Sequence, residues 1–155
     1  MIKNIHIYDL DGTLCNSEHR FRTLPNGKID LPFWRDNSTA EMIAKDSVKE
    51  LATKYKKQLD SGEDYVVIAT ARIMCEASLK WVKENIGLPH KIVSRVPGDD
   101  RKGAKLKIDG LRYLKNFKQF SKAKIFVYED NPEYLYPMAE FFNAVPVFCE
   151  SNQGV

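Results

Sequence analysis

The chain has 155 residues, of which 43% are hydrophobic and 29% are charged, and its formal net charge is +3. This length predicts one domain with a buried core, and the composition excludes a disordered tail, a collagenous fibre and a disulfide scaffold. No apolar run is long enough to cross a bilayer, and the N-terminal residues carry no signal-peptide pattern. Three cysteines without metal-ligand spacing favour a reduced setting, so we expect a cytoplasmic protein with no membrane partner.

Positive charge is concentrated between residues 91 and 124, where eleven Lys and Arg are set against three Asp. The rest of the chain is correspondingly acidic. A basic stretch of this kind fits a phosphorylated or polyanionic partner, although a solvated helix face would have the same composition.

Strand-like and helix-like patterns alternate along the chain, which predicts βαβ units. In chain order the pattern predicts a strand at 5–8, an irregular segment at 15–40, a helix at 41–59, a strand at 65–69, a helix at 74–86, a strand at 91–94, a helix at 103–117, a strand at 124–128, a helix at 132–142 and a strand at 145–148. We therefore expect an α/β fold with three layers, Rossmann-like, in which a mainly parallel sheet of about five strands lies between helices.

The segment 15–40 shows neither the helix-like nor the strand-like pattern, and it contains turn-forming residues such as Pro25, Gly27 and Pro32. A loop of this length inside a compact domain is usually functional, so we expect it near the active site. The predicted elements use most of the chain, so 1–155 is predicted to be a single domain.

Acidic and hydroxyl side chains occur where three predicted strands end. Asp9 and Asp11 follow the first strand, Thr70 ends the second, and Glu129 and Asp130 end the fourth. Ligands of open α/β sheets bind outside the carboxyl ends of the strands, so these groups are expected to meet. Clustered carboxylates need a cation, and Mg²⁺ suits a site with oxygen ligands that leaves positions for a phosphate. The two-residue spacing also puts Asp9 and Asp11 on one side of an extended chain, where one could attack phosphorus and the other manage the proton.

These motifs resemble those of the haloacid dehalogenase (HAD) superfamily of phosphohydrolases. A hydrophobic strand followed by Asp-x-Asp-Gly-Thr is found at 5–14, a strand ending in Thr at 66–70, and a strand ending in an acidic pair at 125–130. The resemblance spans most of the chain. It implies a HAD core and a phosphoric monoester hydrolase that forms a phospho-aspartate. The segments between the motifs are short enough that we expect no cap domain or a minimal one.

The resemblance also implies roles for the motif residues. Asp9 would be the nucleophile and Asp11 the general acid and base. Mg²⁺ would be bound by Asp9, by the backbone carbonyl of Asp11 and by Asp130. Glu129 would assist directly or through water. Thr70 and a lysine would hold the phosphoryl oxygens.

The identity of that lysine is left open by the sequence, because Lys102, Lys105 and Lys107 all fall in the expected stretch. Helical spacing favours Lys107, which shares the predicted inward stripe of Leu111 and Leu114. Lys102 precedes the predicted helix and is kept as a candidate substrate-binding residue.

A narrower resemblance is to the phosphatase domains of bacteriophage polynucleotide kinase–phosphatases. It rests on Arg20, on Arg72 directly after Thr-Ala, and on the Gly-Asp-Asp-Arg-Lys stretch at 98–102. The resemblance implies that Arg20 and Arg72 bind substrate together with Thr13, since the guanidinium group matches phosphate geometry.

The sequence therefore predicts a Mg²⁺-dependent phosphomonoesterase whose partner is a phosphorylated nucleotide or nucleic-acid end. Little room for a cap and a nearby basic stretch favour a polyanionic substrate, which ranks removal of phosphate from a nucleic-acid 3′ end first. A 5′-nucleotidase acting on mononucleotides is the next alternative, followed by a phosphoprotein phosphatase. A non-catalytic phosphate-binding module is the alternative from another class.

Overall fold

The computed structural model describes residues 1–151, which contain seven strands and six α-helices. The strands are β1 (Asn4–Tyr8), β2 (Cys15–Asn16), β3 (Ser47–Val48), β4 (Asp64–Ile73), β5 (Lys91–Arg95), β6 (Lys124–Glu129) and β7 (Val145–Phe148). The α-helices are α1 (Leu31–Asp36), α2 (Ala40–Ile43), α3 (Ala52–Asp60), α4 (Glu76–Asn85), α5 (Gly103–Leu111) and α6 (Pro132–Phe142). Short 3₁₀ helices occur at Glu18–Arg20, Arg112–Lys115 and Lys118–Phe120. Within the described part of the chain, no helix combines the length and apolarity that crossing a bilayer requires.

Five strands form a parallel sheet in the order β5-β4-β1-β6-β7. The central strand β1 is paired on both edges, and its side chains alternate between two apolar cores. Ile5 and Ile7 belong to one core and Tyr8 to the other, as a strand covered on both faces requires. The predicted α/β fold with a parallel five-stranded sheet is confirmed.

Helices cover both faces of this sheet. Leu106 of α5 and Leu135 of α6 pack in the core with Ile5 and Ile7. Tyr55 of α3 and Trp81 of α4 pack in the core on the opposite face. The arrangement therefore has three layers. Because the strands are parallel, the carboxyl ends of β4, β1 and β6 lie at one edge of the sheet.

The single helix predicted at 41–59 is wrong. The apolar residues that suggested it belong to separate elements, since Ile43 packs from α2, whereas Ala52 and Tyr55 pack from α3. Between these helices the chain extends as β3 and pairs antiparallel with β2, with Val48 opposite Cys15. The pairing is a tertiary contact, which the local apolar spacing does not report.

Two further elements differ from the prediction. The helix expected at 103–117 ends at Leu111 and continues as two 3₁₀ turns. The segment 15–40 is more ordered than predicted, because it contains α1, whose first turn is capped by the Asp30 carboxylate accepting from the Phe33 N–H. Residues 17–46, hereafter the 17–46 segment, connect β2 to β3.

Candidate active site

The strand ends bring the predicted acidic residues together. Asp9 directly follows β1 and is anchored there by its backbone N–H, which donates to the Tyr128 carbonyl of β6 at 2.9 Å. Glu129 ends β6 and Asp130 follows it. One carboxylate oxygen each from Asp9, Glu129 and Asp130 lies within 4.8 Å of the others, and all three residues are buried.

Lys107 is inserted into this carboxylate cluster from α5. Its Nζ lies 3.1 Å from Oδ1 of Asp9 and 2.5 Å from Oε2 of Glu129, and the residue is 0% exposed. Burial alone would lower the pKa of Lys107, but the charges of Asp9 and Glu129 outweigh it and raise that pKa above its ordinary value. A charged Lys107 offsets one of three carboxylates, so the cluster keeps a surplus of negative charge.

That surplus is visible at Asp130. Its Oδ2 is buried and has no hydrogen-bond partner within residues 1–151. Burial and then the negative charge of Asp9 raise the pKa of Asp130 to about 7. An orphaned buried oxygen among hard oxygen donors is what a divalent cation would satisfy, so these residues fit Mg²⁺.

Glu129 has a different placement from Asp130. One of its oxygens accepts from Lys107, and the other accepts the backbone N–H of Asn131 at 3.3 Å. Burial and the charge of Asp9 raise the pKa of Glu129 well above its ordinary value. Within the group that could hold a cation, Glu129 thus has both oxygens engaged in hydrogen bonds, whereas Asp130 keeps one buried oxygen without a partner in residues 1–151.

Gly12 lets the backbone pass close to this cluster. Its φ of +82° lies in the left-handed region, and a Cβ at this position would collide with Oδ2 of Asp130. The Gly12 carbonyl accepts from Nζ of Lys49 at 2.9 Å. A side chain at this position would therefore both strain the turn and displace Asp130.

Asp11 lies in surroundings unlike those of Asp9. Its Oδ1 accepts from Nη1 of Arg72 at 2.8 Å and from the Ser17 hydroxyl at 3.0 Å. It also neighbours Cys15 and Asp46, but the arginines beside these acids already supply positive charge, which disfavours a second cation there. Two nearby carboxylates in such different environments are suited to different chemical tasks.

The three competing lysines are now distinguished by position. Lys102 is exposed immediately before α5. Lys105 lies on the surface, 63% exposed, with its Nζ 3.0 Å from Asp109. Lys107, by contrast, points inward to Asp9.

Thr13 and Arg72 contact the aspartates, and Thr70 contacts Arg72. The Thr13 hydroxyl donates to Oδ2 of Asp9 at 3.4 Å. Thr70 is 2% exposed and lies where the β4–β5 register shifts, an irregularity that commonly re-aims side chains beside active sites. Its hydroxyl accepts the backbone N–H of Arg72 at 3.3 Å.

Arg20 is not on an open surface as a substrate clamp would be. It is 0% exposed, and its Nε and Nη2 each lie 2.8 Å from the carboxylate of Asp46. Sequence reasoning missed Asp46, as well as Ser17 and Lys49. Ser17 lies in the irregular segment 15–40, and Asp46 and Lys49 lie within the helix wrongly predicted at 41–59, so no local pattern marks their contacts.

Much of the basic stretch at 91–124 is engaged within the protein. Arg95 donates to the carbonyls of Ala71 and Asp99, and Arg101 pairs with Asp99 and Asp109. The cluster around Asp109 also holds two further basic side chains, those of Lys105 and Arg112. These contacts engage four of the eleven basic residues of the stretch, including all three of its arginines.

Replacing Asp130 by Asn should stabilise the metal-free protein. A carboxyl whose pKa is raised to about 7 by folding costs stability once the pH exceeds its ordinary pKa, and the cost is complete above about pH 7. In chelator at pH 8 we expect Asp130→Asn to raise the free energy of unfolding by about 1–3 kcal/mol. The gain should vanish near pH 4.

Urea unfolding monitored by circular dichroism measures this difference. Asp60→Asn, at an exposed carboxylate that ends α3, is the matched control and should show no gain. Added Mg²⁺ should stabilise the wild type more than Asp130→Asn. A variant less stable than the wild type at pH 8 in chelator would contradict the surplus of negative charge.

Two solved structures share the fold of this chain. A chain of the Pnkp1/Rnl/Hen1 RNA repair complex superimposes with a TM-score of 0.65 and 18% identity, covering 97% of this chain and 43% of that one. A haloacid dehalogenase-like hydrolase from Streptococcus pneumoniae superimposes with a TM-score of 0.61 and 14% identity, covering 89% of this chain and 80% of that one. Together with the sheet order, these likenesses show that the chain has the fold of the haloacid dehalogenase-like (HAD-like) family named for the second structure.

The sequence places the chain more narrowly. Residues 1–96 match the family described as Bacteriophage T5 5′-deoxynucleotidase, and the chain belongs to this family. The 5′-deoxynucleotidase of Escherichia phage T5 is 27% identical over 86 residues, which are 54% of this chain and 35% of that protein. The chain thus spans about a third of the length of this curated relative, and the family match ends before Lys107 and Asp130.

Proposed function

We propose that the protein is a Mg²⁺-dependent phosphomonoesterase in which Asp9 forms a phospho-aspartate. The observation that carries the proposal is the placement of Asp9, buried at the end of β1 between the Lys107 amine and the orphaned oxygen of Asp130. A carboxylate held among a fixed cation and cation ligands is suited to nucleophilic attack on an anionic substrate. We also propose that the described residues act as one phosphatase domain.

The roles of the chain's own residues follow from their positions. The Asp9 carboxylate attacks phosphorus, and Asp11 protonates the leaving oxygen and then deprotonates the hydrolytic water. Lys107 and Thr70 bind the phosphoryl oxygens, and Thr13 orients Asp9 through its hydroxyl. Mg²⁺ bound by Asp9 and Asp130 would supply positive charge for the transferring phosphoryl group.

For the substrate we propose deoxynucleoside 5′-monophosphates. The support is membership of a family named for 5′-deoxynucleotidase activity, which moves the second-ranked enzyme of the sequence analysis to first place. Removal of phosphate from a nucleic-acid 3′ end remains the second candidate, supported by the similar motifs. The basic stretch at 91–124 gives this candidate less support than its charge suggests, since its arginines contact groups of the protein itself.

A groove beside the carboxylate cluster has room for the nucleoside. It extends from Thr13 between α3 and β7, measures about 640 Å³, and is lined by Lys49, Lys54, Val147 and Phe148 among others. Such a volume is typical of sites for small molecules, and exposed Phe148 offers an apolar surface for a base.

A non-catalytic binding module would not need Asp9, so the intact site favours an enzyme.

A substrate panel tests the proposal. With Mg²⁺ present, we expect release of phosphate from p-nitrophenyl phosphate and from thymidine 5′-monophosphate, with kcat/KM for the nucleotide about tenfold or more above that for a 3′-phosphorylated oligonucleotide. A 5′-phosphorylated oligonucleotide separates recognition of a 5′ phosphate from recognition of a mononucleotide. Preference for the 3′-phosphorylated strand would favour the second candidate, and no release from any substrate would support the non-catalytic alternative.

A further inference from the structure

Donors converge on one oxygen of the Asp11 carboxylate. Nη1 of Arg72 lies 2.8 Å from Oδ1, the Ser17 hydroxyl 3.0 Å and the Cys15 thiol 3.5 Å. Nη2 of Arg20 approaches the same oxygen to 3.9 Å. Within residues 1–151 no hydrogen bond is directed at Oδ2, and the side chain is 18% exposed. The carboxyl group is therefore held through one oxygen, which leaves the other available for proton transfer.

Arg20 has little freedom to move within this arrangement. Two of its nitrogens each lie 2.8 Å from the Asp46 carboxylate, and Nη1 donates to the Ser38 hydroxyl at 3.1 Å. The guanidinium group lies over the Trp34 ring, 4.5 Å from its centroid. A bidentate, stacked and fully buried arginine is a rigid support for the oxygen that it approaches.

Asp46 ties this support to the core. Its side chain is 1% exposed, and its backbone carbonyl accepts from Nε1 of Trp81 at 3.0 Å. Trp81 belongs to α4 and packs under the sheet. A continuous set of contacts thus leads from α4 through Asp46 and Arg20 to Oδ1 of Asp11.

We propose that Ser17, Arg20 and Asp46 are positioning residues that hold Asp11 so that Oδ2 delivers the proton to the leaving group. The inference rests on the proposed phosphatase function. In this step an oxygen of Asp9 bonds to phosphorus while the bond between phosphorus and the leaving oxygen breaks. The bonding electrons pass to that oxygen, which takes the proton from Oδ2, and Asp11 is left as a carboxylate whose charge Arg72 offsets.

Two aryl phosphates of similar shape test this role. Phenol is a more basic leaving group than p-nitrophenol, so phenyl phosphate depends more on proton delivery. We expect Ser17→Ala and Asp46→Asn each to lower kcat/KM for phenyl phosphate by about tenfold or more, and that for p-nitrophenyl phosphate by less than about threefold. Because kcat/KM covers the steps up to the covalent intermediate, slower hydrolysis of that intermediate does not enter the comparison.

Matched controls separate positioning from general damage. Ser78→Ala removes another buried hydroxyl, which contacts Cys75, and Asp30→Asn removes the partner of Arg22 within the 17–46 segment. Neither should change the ratio between the two substrates. Equal losses on both substrates in Ser17→Ala and Asp46→Asn would overturn the positioning role. Absence of wild-type activity on either substrate would instead overturn the proposed function.

Discussion

Asp9→Asn should abolish Mg²⁺-dependent release of phosphate from p-nitrophenyl phosphate. The amide keeps the size of the side chain but is a poor nucleophile, and it replaces a charged cation ligand with a neutral one. We expect kcat/KM to fall about 1,000-fold or more, equivalent to about 4 kcal/mol in transition-state free energy. Steady-state assays at saturating Mg²⁺ measure the loss, and acid quenching during turnover should trap a phospho-enzyme only in the wild type.

The same exposed control, Asp60→Asn, should keep wild-type turnover. Asp9→Asn removes negative charge from a buried cluster, so it should fold at least as stably as the wild type in chelator. Loss of activity is then attributable to chemistry. Near wild-type turnover by a folded Asp9→Asn variant would rule out Asp9 as the nucleophile.

Lys107→Ala should lose both activity and stability. Its amine is the buried cation between Asp9 and Glu129, and removing one partner of a buried ion pair typically costs about 3–5 kcal/mol. Phosphoryl binding would be lost as well, because the positive charge beside Asp9 disappears. Urea unfolding and p-nitrophenyl phosphate turnover measure the two effects separately.

Two further lysine variants make this result interpretable. Lys107→Met keeps most of the apolar volume of the side chain, so a folded but inactive protein would separate the loss of charge from the loss of packing. Lys105→Ala, at an exposed pair with Asp109 on the same helix, should change stability by less than about 1 kcal/mol and leave turnover near the wild-type rate. A severe effect of Lys105→Ala together with a mild effect of Lys107→Ala would show that Lys107 is not the phosphate-binding lysine.

Local pattern in the sequence was sufficient to predict the parallel sheet. Strands such as 65–69 are continuous apolar runs because both of their faces are covered. A run of this kind can be recognised from neighbouring residues alone. The chemistry at the strand ends was equally local, since Asp9 and Asp11 are two residues apart. A parallel sheet aligns its carboxyl ends, so the convergence of Asp9 with Asp130 followed from topology.

Helical spacing alone also indicated the inward direction of Lys107. Its contact with Asp9 joins residues 98 positions apart, and the tertiary structure was needed to show that its amine meets Glu129 as well. Lys105 and Lys107 both lie on α5. Which of them is buried depends on which face of this helix packs against the sheet.

The surroundings of Asp11 were decided by tertiary structure. The break in the predicted helix at 41–59 allows β3 to pair with β2 and turns Asp46 inward to Arg20. By sequence alone, Arg20 was a candidate for contact with substrate. A buried ion pair between residues 26 positions apart leaves no periodic trace in the sequence, because its geometry is set by the packing of Trp34 and Trp81 around it.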